Sequence, residues 1–132
     1  MLATGSAGYA FNRTRQAYLA THVRVAATHW SRLRGLVGTG SAGFGAGHGL
    51  WIVPSHGVHT LAMRFAIDVL YLDTEKVVVH LERNLKPWRI AKVSRRTVSV
   101  LELPGDTLSS TGTVIGDEIE ISLGQPQKAA GA

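Results

Sequence analysis

The chain contains no cysteine. That excludes a disulfide framework, a zinc site built on thiolates and a cysteine nucleophile. No stretch reaches the roughly 18 apolar residues that a membrane-spanning helix needs, so no membrane insertion is expected. The first ten residues carry neither a basic segment nor an apolar one, so no secretory leader is read there, and a cytoplasmic location is the expectation. No internal repeat and no interdomain linker are visible. The glycine-rich stretch Gly35 to Gly49 has seven glycines but lacks the Gly-Lys-Ser/Thr ending of a phosphate-binding loop. No Gly-x-Ser-x-Gly elbow is present, and Ser55 beside His56 has no evident orienting acid.

Acidic residues are also missing from a long part of the chain. Between Met1 and Ile67 there are six arginines (Arg13, Arg15, Arg24, Arg32, Arg34 and Arg64) and no acid. A second acid-free run, Arg83 to Arg96, holds Arg83, Lys86, Arg89, Lys92, Arg95 and Arg96. All nine acids lie between Asp68 and Glu120, and the net charge is +5. Segregation of this kind can create one positive face that attracts anions, and nucleic acid stays among the options. Arginines that are merely scattered and solvated would give the same count.

What is present describes one β-rich domain. The 132 residues suit a single domain. A 45% apolar and 17% charged composition is that of a globular protein. Residues 1–10 are expected to be a flexible N-terminus, 11–123 the domain, and 124–132 a disordered tail. Strand patterns run through Leu19 to Val25, Leu50 to Val53, Val77 to Glu82, Val98 to Leu103 and Ile119 to Leu123. Ile67 to Leu72 is almost continuously apolar, which predicts a strand covered on both faces. Asp73-Thr74-Glu75-Lys76 reads as a tight hairpin connection. A helix is predicted from an N-cap at Thr28 through Trp30, Leu33 and Val37 to a stop at Gly38, with a second short turn over Asp106 to Ser110. The expected architecture is therefore mainly β (α+β), a small curved sheet or barrel of short strands with one short helix.

The order and spacing of several segments carry a resemblance. They are Arg32-Leu33-Arg34-Gly35-Leu36, Gly49-Leu50-Trp51-Ile52-Val53-Pro54, the run from His59 to Asp73, Pro87-Trp88-Arg89, Leu101-Glu102-Leu103-Pro104-Gly105, and Gly116-Asp117. Together they resemble the family known as domain of unknown function 192, uncharacterised proteins of prokaryotes, over about Phe11 to Ile121. Two positions depart from the pattern. Ala66 stands where proline is common, and Asp106 where a small residue is common. The resemblance implies a β-rich fold with a short helix and brings no enzyme class.

Candidate site residues gather where polar groups interrupt apolar ones. His59 and Asp68 are weak catalytic candidates. Thr60, Met63, Arg64, Asp68, Trp88 and Arg89 are candidate ligand-binding residues. The Arg64 guanidinium suits a carboxylate or phosphate in two parallel hydrogen bonds. Trp88 beside Arg89 could stack on a base or a sugar ring, or fill the core. Asp68 could serve as a base. Alternatively it accepts backbone N–H groups or pairs with Arg64 for structural reasons. His56 and His59 point to opposite sides of an extended segment, so no metal site is expected, although His48 could supply a third imidazole if the glycine loop folds back. No cofactor is expected. Glu102 either shares a buried face with Val98 and Val100 or is turned outward by a bulge near Leu101. Asp117 reads as a turn former. The favoured reading is a small binding module for an anionic ligand: a small molecule, an acidic glycan or a nucleic acid. An accessory protein that docks a larger partner, or an enzyme using His59, Arg64 and Asp68, are the alternatives.

Overall fold

The computed structural model describes residues 8–26, 45–55, 65–86 and 95–124. Seven strands and one short helix make up these segments: β1 (Gly8–Asn12), β2 (Ala17–Ala26), β3 (His48–Ile52), β4 (Ile67–Leu72), β5 (Val78–Leu85), β6 (Ser99–Pro104), α1 (Thr107–Thr111) and β7 (Ile119–Ser122). The mainly β architecture read from the sequence is what is found. The helix predicted over Thr28 to Val37 lies outside the described residues. The described helix, α1, sits where only a short turn was expected.

The strands form one sheet in the order β5-β4-β6-β3-β2-β1-β7. Among the described pairs only β2 with β3 is parallel. The sheet curls far enough for its two edges to meet at one end. There Val77 bridges Glu118, and the amides of Val78, Gly116 and Ile119 donate to the carbonyls of Asp117, Val78 and Lys76 at 2.9, 2.8 and 3.0 Å. Away from this seam β5 and β7 diverge, so the result is a half-barrel joined at one rim.

Side-chain alternation divides the packing between two faces. The concave side holds Leu19, Val23, Leu70, Leu72, Leu101, Leu103 and Ile119, with Leu108 of α1 closing one end. The convex side holds Leu50, Ile52, Ile67, Val69, Tyr71 and Val100. All six residues of β4 are buried, which explains its unbroken apolar sequence. The register of β6 on β4 runs without a shift from Ile67↔Pro104 to Leu72↔Ser99. Of the two alternatives for Glu102, the regular strand is therefore the one found, and Glu102 is fully buried on the Val100 face.

β1 begins at Gly8, ahead of the domain start expected at Phe11. It joins the two ends of the sequence, pairing with β2 on one side and with β7 on the other. Gly8 is needed there because a Cβ would lie 2.8 Å from the Ser122 carbonyl and 3.1 Å from that of Val23. The Asp73–Lys76 connection forms as read, with Asp73 Oδ1 accepting the amides of Glu75 and Val77. Among the described residues, no helix is long and apolar enough to cross a membrane.

Candidate functional site

Of the site residues read from the sequence, Asp68 is the one within the described residues. His59, Thr60, Met63, Arg64, Trp88 and Arg89 lie outside them, as does His56.

Asp68 is fully buried and projects to the concave side, like Leu70 and Leu72. Its Oδ1 accepts the backbone N–H of Asn84 at 2.8 Å, and its Oδ2 that of Leu108 at 2.7 Å. One carboxylate thus ties β4 to β5 and to the first turn of α1. The local backbone is shaped for this. Asn84 has φ 51° at a register shift in β5, and Asp106 has φ 72°. Asn and Asp tolerate that left-handed region better than most residues. Asn84 Nδ2 donates to Asp106 Oδ1 at 3.0 Å, which gives a role to the unusual residue after Gly105. A Cβ on Gly105 would run into Asn84 Oδ1.

A second carboxylate, Asp117, is more than a turn former. Its Oδ2 accepts Asn12 Nδ2 at 2.9 Å, Arg15 Nε at 3.0 Å and the Val114 amide at 3.1 Å. Burial works against its charge, but hydrogen bonds from Arg15, Asn12 and Val114 outweigh it and hold the carboxyl below the usual range. Asn12 also donates to Thr113 Oγ1. This cluster locks the β1–β2 hairpin onto the turn that leads into β7.

On the convex side the registers align side chains in rows. Arg24, Leu50, Glu102, Val69 and Glu82 face the same way across β2, β3, β6, β4 and β5. In the next row Ile52, Val100, Tyr71 and His80 do the same. Tyr71 meets the His80 ring edge-on at 4.9 Å, and His80 Nε2 lies 3.2 Å from Glu82 Oε2. Burial, and then the negative charge of Glu82 and Glu102, push the Tyr71 phenol far up, so it stays protonated. Its hydroxyl is buried and finds no hydrogen-bond partner among the described residues.

The flank of this face formed by β1, β2 and the start of β3 is open. His48 stands on this flank. Its ring stacks on that of His22 at 5.5 Å, and no group of three metal-ligating side chains occurs among the described residues. Tyr18 packs edge-on against both Tyr9 and Phe11, at 5.8 and 4.8 Å. Two shallow grooves lie among the described residues. One, of about 210 Å³, runs between β2, Ala46-Gly47 and the hydroxyls of α1. The other, of about 310 Å³, lies between Leu81, Arg83, Val114 and Ile115.

The Asp117 cluster and the aromatic trio were not anticipated as groups. Tyr9 and Phe11, two residues apart, were the one available signal, since that spacing puts both on one side of a strand.

Over residues 10–121 the sequence matches the family described as uncharacterized ACR, domain of unknown function 192. The chain belongs to this family. A UPF0127 protein of Thermococcus sibiricus is 28% identical over 123 residues, covering 89% of this chain and 77% of the relative. A UPF0127 protein of Pyrococcus furiosus is 40% identical over 63 residues, 48% of this chain and 53% of the relative. In three dimensions the chain is similar to a protein of unknown function from Novosphingobium aromaticivorans, with a TM-score of 0.69 at 17% identity, covering 86% of this chain and 82% of that one. It is also similar to a Sinorhizobium meliloti protein whose description proposes a role in transcription regulation, with a TM-score of 0.66 at 19% identity, covering 89% and 96%. These likenesses show that the half-barrel fold is shared with both solved structures. Neither they nor the relatives supply an activity.

Proposed function

We propose that the protein is a binding module for an anionic ligand. The observation that carries this reading is the withdrawal of acids from the surface. Asp68, Glu102 and Asp117 are buried, and only six of the nine acids remain to offset the 14 lysines and arginines. Acids turned into the fold leave cations as the charges a docking ligand meets at contact range, where their pull is strongest. Arg13, Arg24, Arg83, Lys86, Arg95 and Arg96 are exposed. Arg64 and Arg89, with Thr60, Met63 and Trp88, are the residues we assign to direct ligand contact.

An enzymatic reading through His59, Arg64 and Asp68 is weaker, because each Asp68 oxygen already accepts a backbone N–H. The accessory reading has one observation in its favour. Ile115 is 60% and Val114 39% exposed beside the groove that Leu81 and Arg83 share with them, an apolar pair that a docked partner would cover.

Heparin affinity chromatography tests the proposal. The protein should be retained at low salt and elute as salt rises. Arg64→Ala and Arg89→Ala should elute earlier, each lowering the salt dependence by about one counterion. Passage through the column unretained at low ionic strength defeats the reading.

A further inference from the structure

We propose that the outward face of β1 and β2 is a stacking platform for single-stranded nucleic acid. This rests on the anion-binding reading and names the class of ligand.

The face is built from alternation. Tyr9 and Phe11 point outward while Ala10 and Asn12 are buried. Phe11 pairs with Tyr18 across the hairpin. Tyr18 is 58% exposed, although its ring touches two others edge-on. An edge-on trio keeps its rings from covering one another face to face, so π-surface stays open to solvent. This inverts ordinary strand patterning, in which the small or polar residue faces water and the aromatic one faces the core. The core gains little from a ring left so exposed. Bases, by contrast, stack on such rings whatever their sequence.

Charge on the same face suits phosphate. Further along β2, Arg24 is exposed and points outward, in register with Leu50. Between Tyr18 and Arg24 stand the flat, stacked rings of His22 and His48, both exposed. Arg13 is exposed in the hairpin at the other end. Neither β2 nor β3 carries an acid. Glu120 does flank the rings, but its carboxylate accepts the Tyr9 hydroxyl at 2.6 Å. From Tyr18 to Arg24 the strip spans about 20 Å of strand, room for a few extended nucleotides. Rings flanked by cations on one strand surface are the combination that sequence-tolerant single-strand binding uses. A neutral glycan would use the rings but has no need of the cations.

Fluorescence anisotropy with the full chain and a labelled oligothymidylate of about twelve nucleotides, at about 50 mM salt, decides the matter. Inorganic polyphosphate serves as a competitor that has charge but no bases. We expect saturable binding that weakens as salt rises. Tyr18→Ala should weaken it roughly tenfold or more while leaving the salt slope unchanged. Arg24→Ala should flatten the slope by about one counterion. Both side chains are exposed, and equal melting temperatures will confirm that the variants fold. Wild-type affinity in both variants overturns the proposal. Polyphosphate binding as tightly as the oligonucleotide, with no effect of Tyr18→Ala, also overturns it but leaves the anion reading standing. Binding of neither polyanion sinks both.

Discussion

Removing the Asp68 carboxylate should cost a large share of the fold's stability. In Asp68→Ala two backbone donors lose their acceptor together. The Leu108 N–H is fully enclosed, and that of Asn84 is partly enclosed. An orphaned buried donor costs about 1–3 kcal/mol. Leu108 belongs near the top of that range. Asn84, which water can reach in part, belongs near the bottom. With the small void left behind, the loss should be about 3–5 kcal/mol, against a total of about 5–15 kcal/mol for a domain. Urea unfolding followed by tryptophan fluorescence should show the midpoint fall by about 2 M, taking a slope near 2 kcal/mol/M. Asp68→Asn keeps one acceptor oxygen and turns a second donor toward an N–H, so it should lose about half as much. An Asp68→Ala variant destabilised by less than about 1 kcal/mol, with an unchanged slope, would refute the view that this carboxylate is a structural clamp.

Three further outcomes follow from the packing. Asp117 has its carboxyl lowered in the folded state. The stability it adds is complete above the unfolded carboxylate value of about 3.9 and drains away as pH falls through the lower folded value. Asp117→Asn should therefore be less stable at neutral pH but lose less on going below about pH 4, as thermal melts at stepped pH will show. Gly8→Ala should lower stability by about 1–3 kcal/mol, because backbone on two sides leaves its Cβ nowhere to go. A melting temperature within about 1 °C of wild type would contradict that. Tyr71→Phe should be neutral or stabilising by up to about 1 kcal/mol, since it removes a buried hydroxyl without a partner among the described residues. A clear fall in the urea midpoint would show that the hydroxyl does find one.

Much of the sheet can be read from the chain because its central strands obey local rules. Ile67 to Leu72 shows two buried faces as one apolar run, and β4 occupies those residues. Pro104-Gly105 ends the Val98–Leu103 pattern, and β6 stops at Pro104. β1 does not declare itself in the same way. Its inward residues are Gly8, Ala10 and Asn12, small or polar, and its outward residues are aromatic. Such a strand is stabilised by partners far along the chain, Asp117 and Thr113 for Asn12 and Glu120 for Tyr9. Periodicity carries no information about them. The same holds for Asp68. An acid in an apolar run signals a buried carboxylate with donors, but the turn through Met63 and Arg64 were the partners in view, and the amides found are those of Asn84 and Leu108.

The pairing of β1 with β7 sets Tyr9 opposite Ser122. To make that ladder during folding, the chain must bring together segments separated by nearly its whole length, with the entropic penalty of closing so large a loop. Hairpins such as β4–β5 can zip locally, whereas this ladder has to wait for the rest of the sheet to supply its template. The protein should consequently fold slowly for its size. Until β7 docks, β1 has an uncovered edge, and in that interval the chain is most exposed to pairing with another copy of itself.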